Sequence, residues 1–260
     1  MVPLEHSNSQ PGDDRPVGLI TGSGAPRIGN CVARTLAGAG YRVVLHAHRS
    51  LGDAEATAHE LEAQGAAAAV VSCDLTHEAK LVEMVRRATA AFGRIDALVN
   101  CAAVWLSKPL EQVTADDVRR HFEVNTLATF LCCQHVGLQM VKQAGGGAIV
   151  NMGDWAIARP YLNYAAYFPS KGAIPTLTRN LAVELASRNP RVRVNAVLPG
   201  PAMLPESLPE AERNSAIEAT LVKRQGSPQN VADAVLFLLR NDFVTGVCLP
   251  VDGGRSIYAP

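Results

Sequence analysis

From Val17 onward the chain alternates short apolar runs with longer amphipathic stretches, and the first apolar run ends in a glycine-rich loop. Val17–Thr21 reads as a strand, Thr21–Gly29 (TGSGAPRIG) as the loop, and Ile28–Ala39 as a helix closing at Gly38-Ala39-Gly40. The order then repeats. Strands are predicted at Tyr41–His46, Ala68–Cys73, Ala97–Asn100, Ala148–Met152, Arg193–Pro199 and Cys248–Val251. Helices are predicted between them at Asp53–Gln64, Glu78–Phe92, Ala115–Met140 (as one or two segments), Ala165–Ser187 and Val231–Leu239. Strands separated by helices cross over rather than form hairpins, so the expected fold class is α/β, a doubly wound parallel sheet. No repeat of solenoid period is visible.

At 260 residues, 48% of them hydrophobic, the chain suits one such domain, taken as residues 16–260. Residues 1–15 are polar, with Pro3, Pro11, Gly12 and Asp13-Asp14, and are expected to form a disordered tail. Pro199–Gln225 is rich in Pro, Glu and Ser and follows a strand's C-terminal end. That position suits a mobile substrate lid around residues 200–225.

Charge and cysteine usage narrow the function classes. Acidic and basic residues balance at 24 each, which gives no support for a nucleic-acid partner or an anionic membrane surface. No apolar run approaches the roughly 18–20 residues of a membrane span, and the N-terminus lacks an apolar signal-peptide core. The six cysteines show no C-x-x-C spacing and the seven histidines no pairing, so no metal is expected. A cytoplasmic protein with reduced thiols fits best.

A strand, a glycine loop and a helix together present backbone N–H groups to a pyrophosphate at the helix N-terminus. A tight structural turn is the competing reading of the loop. At the end of the second strand a typical NAD site carries Asp or Glu for the ribose hydroxyls. This chain has His48-Arg49-Ser50 instead. A guanidinium there can pair with a 2′-phosphate that a carboxylate would repel, so NADPH is expected rather than NADH. The alternative is a solvated surface arginine.

Tyr167-x-x-x-Lys171 sets a phenol and an ammonium one helical turn apart on one face. A nearby Lys⁺ favours phenolate and draws a tyrosine's pKa down from about 10. Such a tyrosine can give a substrate a proton and recover it.

Taken together, Thr21–Gly29, Asp74-Leu75, Asn100-Cys101-Ala102, Asn125, Tyr167-x-x-x-Lys171, Pro199-Gly200 and Val251-Asp252-Gly253-Gly254 resemble the short-chain dehydrogenase/reductase family. The resemblance runs from about Val17 to the C-terminus and implies a Rossmann-type sheet. It implies cofactor contacts at Gly22, Arg27, Ile28, Gly29, His48, Arg49, Ser50, Asp74, Leu75, Asn100, Ala102, Tyr167, Lys171, Pro199 and Gly200. It further implies that Lys171 binds the nicotinamide ribose and that Asn125 holds a water linking the lysine to solvent. Assembly as a homotetramer through helices near Thr114–Met140 and Ala165–Ser187 and the C-terminal segment also follows from it.

Asp154 stands thirteen residues before Tyr167, where most members of the family carry serine. With Arg27 in the glycine loop and the His-Arg-Ser run, this resembles the pteridine reductases and the bacterial dihydromonapterin/dihydrofolate reductase-like members. Tyr164–Leu177 and Thr245–Cys248 are similar to the same group, and Trp105 lies where those enzymes hold an aromatic that stacks on the pterin. Departures exist too: the glycine loop is one residue longer, Cys101 replaces an asparagine, and Ala202 replaces a small polar residue.

A ketone reducer needs its serine to hydrogen-bond the carbonyl oxygen, which Asp can do only when protonated. A pterin offers an exocyclic amine to a carboxylate and a ring nitrogen to a proton relay. Asp154 therefore favours a C=N substrate; an Asp that merely caps the following turn is the alternative. Asn125 is otherwise a helix-interior Asn satisfied by backbone, and Trp105 otherwise plain packing. The sequence thus predicts an NADPH-dependent reductase of a small pteridine-like molecule. Its catalytic residues are Asp154, Tyr167, Lys171 and Asn125, and its substrate contacts Arg27, Trp105, Asp154 and Tyr167, with Tyr161 or Tyr164 lining the cleft. A carbonyl reductase and a non-catalytic NADP(H)-binding protein are the alternatives.

Overall fold

A computed structural model describes residues 13–258. Seven strands, β1 (Val17–Thr21), β2 (Arg42–Ala47), β3 (Ala68–Ser72), β4 (Ala97–Asn100), β5 (Gly147–Met152), β6 (Val192–Pro199) and β7 (Cys248–Val251), form one sheet in the order β3-β2-β1-β4-β5-β6-β7. Every neighbouring pair is parallel. Eight helices connect them: α1 (Ile28–Gly38), α2 (Leu51–Ala63), α3 (Glu78–Phe92), α4 (Ala115–His121), α5 (Ala128–Lys142), α6 (Tyr167–Ala186), α7 (Glu210–Glu218) and α8 (Pro228–Arg240).

The strands are apolar on both sides because helices cover both faces, and β1 and β2 are buried at every residue. One core packs α3, α5 and α6 on the sheet through Leu81, Met84, Val136, Met140, Leu181 and Leu185. The opposite core packs α1, α2 and α8 through Val32, Leu36, Leu61, Val231, Val235 and Leu238. The expected doubly wound sheet is therefore the observed one. The winding reverses between β1 and β4, which pair with Thr21 opposite Asn100 at their C-terminal ends. A parallel sheet binds its ligand in the crevice opened at that point.

Several expectations change in detail. The long helix over Ala115–Met140 is interrupted by a stretch of π-helix at Phe122–Leu127, between α4 and α5. The extra residue per turn aims Asn125 inward, and such interruptions gather at functional sites. The segment after β6 carries α7, which has no buried residue and so no apolar stripe for periodicity to find. Helix α8 begins three residues before its expected start, because Ser227 and Asn230 form a capping box with Pro228 at the first position. Of the expected N-terminal tail, residues 1–12 lie outside the described residues. Its last part is held: the buried Arg42 guanidinium donates to Arg15 O at 2.8 and 3.1 Å.

Candidate active site

The glycine loop is fixed first by its backbone. Gly22 has φ +64°, and a Cβ there would lie 2.7 Å from Ala102 Cα, so only glycine lets β1 turn against the end of β4. Gly29 is equally confined, with Gly22 O 2.5 Å from where a Cβ would sit. Thr21 Oγ1 accepts from both Cys101 N and Ala102 N, at 3.1 and 3.2 Å, and ties the two loop segments together.

The loop delivers the N-terminus of α1 to the crevice. Its N-cap is Arg27, which offers no capping acceptor, and no acidic residue occupies the first turn. The opening N–H groups of α1, beside Ile28 and Gly29, thus have no side-chain partner, which suits a pyrophosphate. Arg27 and Arg49 are exposed and take part in no ion pair among the described residues. Ser50 lies directly under the loop, its Oγ 2.4 Å from where a Cβ on Gly24 would be. His48 Nε2 lies 3.8 Å from Asp74 Oδ2, and Asp74 Oδ1 accepts from Thr76 N and Oγ1. The strand ends that carry His48-Arg49-Ser50 and Asp74-Leu75 are thus adjacent, with the Leu75 side chain in the core. Gly200 lies against Asp252, whose Cα would be 2.4 Å from a Cβ, so Pro199-Gly200 stays tight to the end of β7. These donors and basic groups fit a nicotinamide dinucleotide.

His46 is the feature that the sequence reading passed over. It is buried at the end of β2. Its Nδ1 accepts from Gly22 N at 3.1 Å and its Nε2–H donates to Cys73 O at 3.2 Å. Burial lowers its pKa to about 4, outweighing the Cys73 carbonyl and Asp74, so the ring is neutral at pH 7. The only sequence signal was a polar residue that follows the apolar run Val43–Leu45.

At the other side of the crevice, Tyr167 opens α6 and Lys171 follows one turn later, both buried. Asp154, after β5, uses both carboxylate oxygens. Oδ1 accepts from Ala156 N at 2.8 Å, capping the short turn Trp155–Ile157, and Oδ2 accepts from Tyr167 Oη at 2.7 Å. The same side chain therefore caps the turn and accepts the Tyr167 hydroxyl.

The expected lowering of Tyr167's pKa by Lys171 is overturned. Burial raises the phenol far above its usual value, and the Asp154 carboxylate raises it further by charge and by accepting its proton. Lys171 Nζ instead donates to Met152 O at 2.8 Å. Its own pKa falls to about 8 because burial disfavours the ammonium more than Asp154 and Cys101 favour it. Burial also raises Asp154 despite its bonds to Tyr167 and Ala156 and the charge of Lys171.

Asn125 is fully buried and its amide clamps the segment after β4. Oδ1 accepts from Val104 N at 2.8 Å, while Nδ2 donates to Val104 O and Ser170 Oγ, each at 3.0 Å. Both side-chain donors are taken by protein groups, so a water at this residue would have to use other atoms. Asn100 also faces inward, donating to Asn151 Oδ1 at 2.9 Å and Cys133 Sγ at 3.2 Å. Trp105 is half-exposed and stacks on Tyr164, with ring centroids 5.0 Å apart and an interplanar angle of 9°. Tyr164 in turn meets Tyr167 and Tyr161 edge to face, so both tyrosines line this side. Ala202 is buried. All six cysteines are free, and no cluster of three His, Cys, Asp or Glu that could hold a metal occurs among the described residues. No helix of the described residues is long and apolar enough to cross a membrane.

A dinucleotide crevice at the sheet's switch point, facing a buried Tyr-Lys pair, defines a nicotinamide-dependent oxidoreductase. Residues 24–256 match the family model described as Enoyl-(Acyl carrier protein) reductase. The 7alpha-hydroxysteroid dehydrogenase of Escherichia coli (strain K12) is 36% identical, over 91% of this chain and 92% of that protein. Pteridine reductase 1 of Leishmania tarentolae is 33% identical over 93% and 96%. Carbonyl reductase family member 4 of Xenopus tropicalis is 34% identical over 90% and 95%. The chain belongs to the short-chain dehydrogenase/reductase family, whose members use NAD(P)(H).

Proposed function

We propose that this enzyme is an NADPH-dependent reductase of a pteridine-like C=N bond. The observation that carries the reading is the 2.7 Å bond from Tyr167 Oη to Asp154 Oδ2. NADPH held in the crevice between β1 and β4 supplies the hydride. Arg49 and Ser50 hold its 2′-phosphate, with His48 beside them, and Lys171 holds the nicotinamide ribose. Tyr167 donates its proton to the ring nitrogen. Asp154, made more basic by burial, orients the ring through its exocyclic amine or, after taking up a proton from solvent, passes it to the Tyr167 phenolate. Asn125 keeps Val104, and with it Trp105, in place beside the ring. Arg27 meets the pyrophosphate or the pterin, and the segment carrying α7 covers the cleft.

A test is NADPH oxidation with biopterin, dihydrobiopterin, dihydrofolate and a panel of ketones. Turnover of the dihydro forms, with NADPH preferred over NADH, is the expected result; turnover of ketones alone would overturn it. Asp154 also favours a second reading. Its raised pKa lets a protonated carboxyl donate to a carbonyl oxygen, as a serine does, which suits a carbonyl reductase.

A further inference from the structure

Two arginines lie together at one end of the aromatic wall that borders the cleft. Arg159 Nη1 donates to Arg255 O at 3.2 Å and also to Tyr258 O. The Arg255 guanidinium lies over the Trp155 ring, 5.0 Å from its centroid. Trp155 is the residue after Asp154 and stacks with Tyr161, 6.4 Å between centroids. Tyr161 meets Tyr164 at 5.1 Å, and Tyr164 carries Trp105 on its face. Tyr161 is near enough to Asp154 for the carboxylate to help burial raise its phenol. The wall therefore runs without a break from Arg255 past Asp154 to Trp105.

Among the described residues the pair has no carboxylate to compensate it, and neither guanidinium takes part in any ion pair. Partial burial, and after it the charge of Arg159, disfavour the charged form of Arg255. Two like charges, one anchored by backbone carbonyls and the other lying over an indole, repel each other, and an anion between them would relieve that repulsion. Guanidinium groups match carboxylate and phosphate oxygens in both charge and shape.

We propose that Arg159 and Arg255 form a subsite for an anionic substituent, a carboxylate or a phosphate ester, on the substrate whose reacting bond lies at Tyr167. The ring assignment rests on the function proposed above; the anion subsite does not depend on it.

The test compares KM values for dihydropteroate, dihydroneopterin monophosphate and neutral dihydrobiopterin in the parent and in Arg255→Gln. This change keeps the backbone carbonyl that Arg159 uses. The ratio of each anionic KM to the neutral KM should rise about tenfold or more in the variant, the size of one lost charge-assisted hydrogen bond. Arg255→Lys should restore part of it, and added salt should raise the anionic KM values selectively. Which anion responds more strongly separates carboxylate from phosphate. An unchanged ratio, or KM values that rise together, overturns the subsite. If no pterin is turned over, the pteridine reading fails, and the same ratio is taken between a keto acid and its methyl ester. Titrating the fluorescence of the two tryptophans with pteroate and with pterin supplies the ratio without turnover; insensitivity of both ligands to Arg255→Gln overturns the subsite.

Discussion

The Tyr167 hydroxyl donates to Asp154 Oδ2 at 2.7 Å, so the phenol and the carboxylate are joined by one proton. A serine in place of Asp154 would leave Tyr167 without an anionic partner. Tyr167→Phe keeps the ring and deletes the donor, and turnover should fall by roughly 10²–10⁴-fold with NADPH binding nearly unchanged. Asp154→Ser should reduce pterin turnover while small-ketone reduction holds or rises, and Asp154→Asn should impair pterins as well. Steady-state kinetics on both substrate classes checks this. Pterin turnover at the parent level in both Asp154 variants would leave the carboxylate only its bond to Ala156.

Lys171 should give the rate an alkaline limb. Burial lowers its pKa to about 8, so the ammonium beside the site is lost above that pH. kcat/KM should therefore decline above about pH 8, and Lys171→Arg, charged throughout, should shift the decline upward. Stability moves the other way. The unfolded lysine holds its proton to about 10.4, so folding gains as pH rises from about 8 toward that value. A profile flat to pH 9.5 in the parent would count against a titrating Lys171.

Much of this was legible from the sequence, and the failures share a cause. The alternation of apolar strands with helices dictated the sheet, since parallel strands buried on both faces read as unbroken apolar runs. Tyr167 and Lys171 were legible because helical spacing alone sets them on one face. Helix α7 was invisible because it buries nothing. The effect of Lys171 on Tyr167 was misjudged because spacing along a helix says nothing of what burial does to a phenol, or that Met152 O would take the ammonium. His46 was missed because its partners, Gly22 N and Cys73 O, lie just past the ends of the strands on either side of its own.

Cofactor choice should follow Arg49. Its guanidinium has no carboxylate partner among the described residues and sits one residue before Ser50, under the glycine loop. Arg49→Asp replaces a charge-assisted bond of about 1.5–3 kcal/mol with repulsion. NADPH affinity should drop tenfold or more while NADH affinity is spared. Titration of cofactor fluorescence decides it, and equal affinities for the two cofactors in the parent would sink the assignment.

A homotetramer is expected in solution. Phe122, Leu127 and Leu138, along the stretch from the π-helical turn through α5, and Val183 on α6 are large apolar side chains left exposed. A face of this kind suits a second copy across a two-fold axis. Light scattering at micromolar concentration should give four times the 27.6 kDa chain mass. A monomer mass would rule it out, and Leu127→Glu with Val183→Glu should push the population toward smaller species.

His46 should make the glycine loop sensitive to acid. Its neutral ring accepts from Gly22 N through Nδ1, and protonation would turn that acceptor into a donor facing a donor. The pKa is lowered from 6.5 to about 4, chiefly by burial and partly by the charge of His48, with Asp74 and the Cys73 carbonyl opposing. The unfolded chain therefore takes up this proton first as pH falls below about 6.5. The stabilisation is present in full above that pH and is lost progressively toward about pH 4. The full window corresponds to about 3 kcal/mol. His46→Gln cannot titrate, and its amide oxygen can still accept from Gly22. Between pH 7 and 4.5 the parent should lose more unfolding free energy than His46→Gln does, other carboxylates contributing equally to both. NADPH affinity should weaken over the same interval by more in the parent than in His46→Gln, protonation of the 2′-phosphate near about pH 6 acting on both. Parallel pH profiles for the two proteins, in denaturant unfolding and in cofactor titration, would show that His46 plays no part in holding the loop.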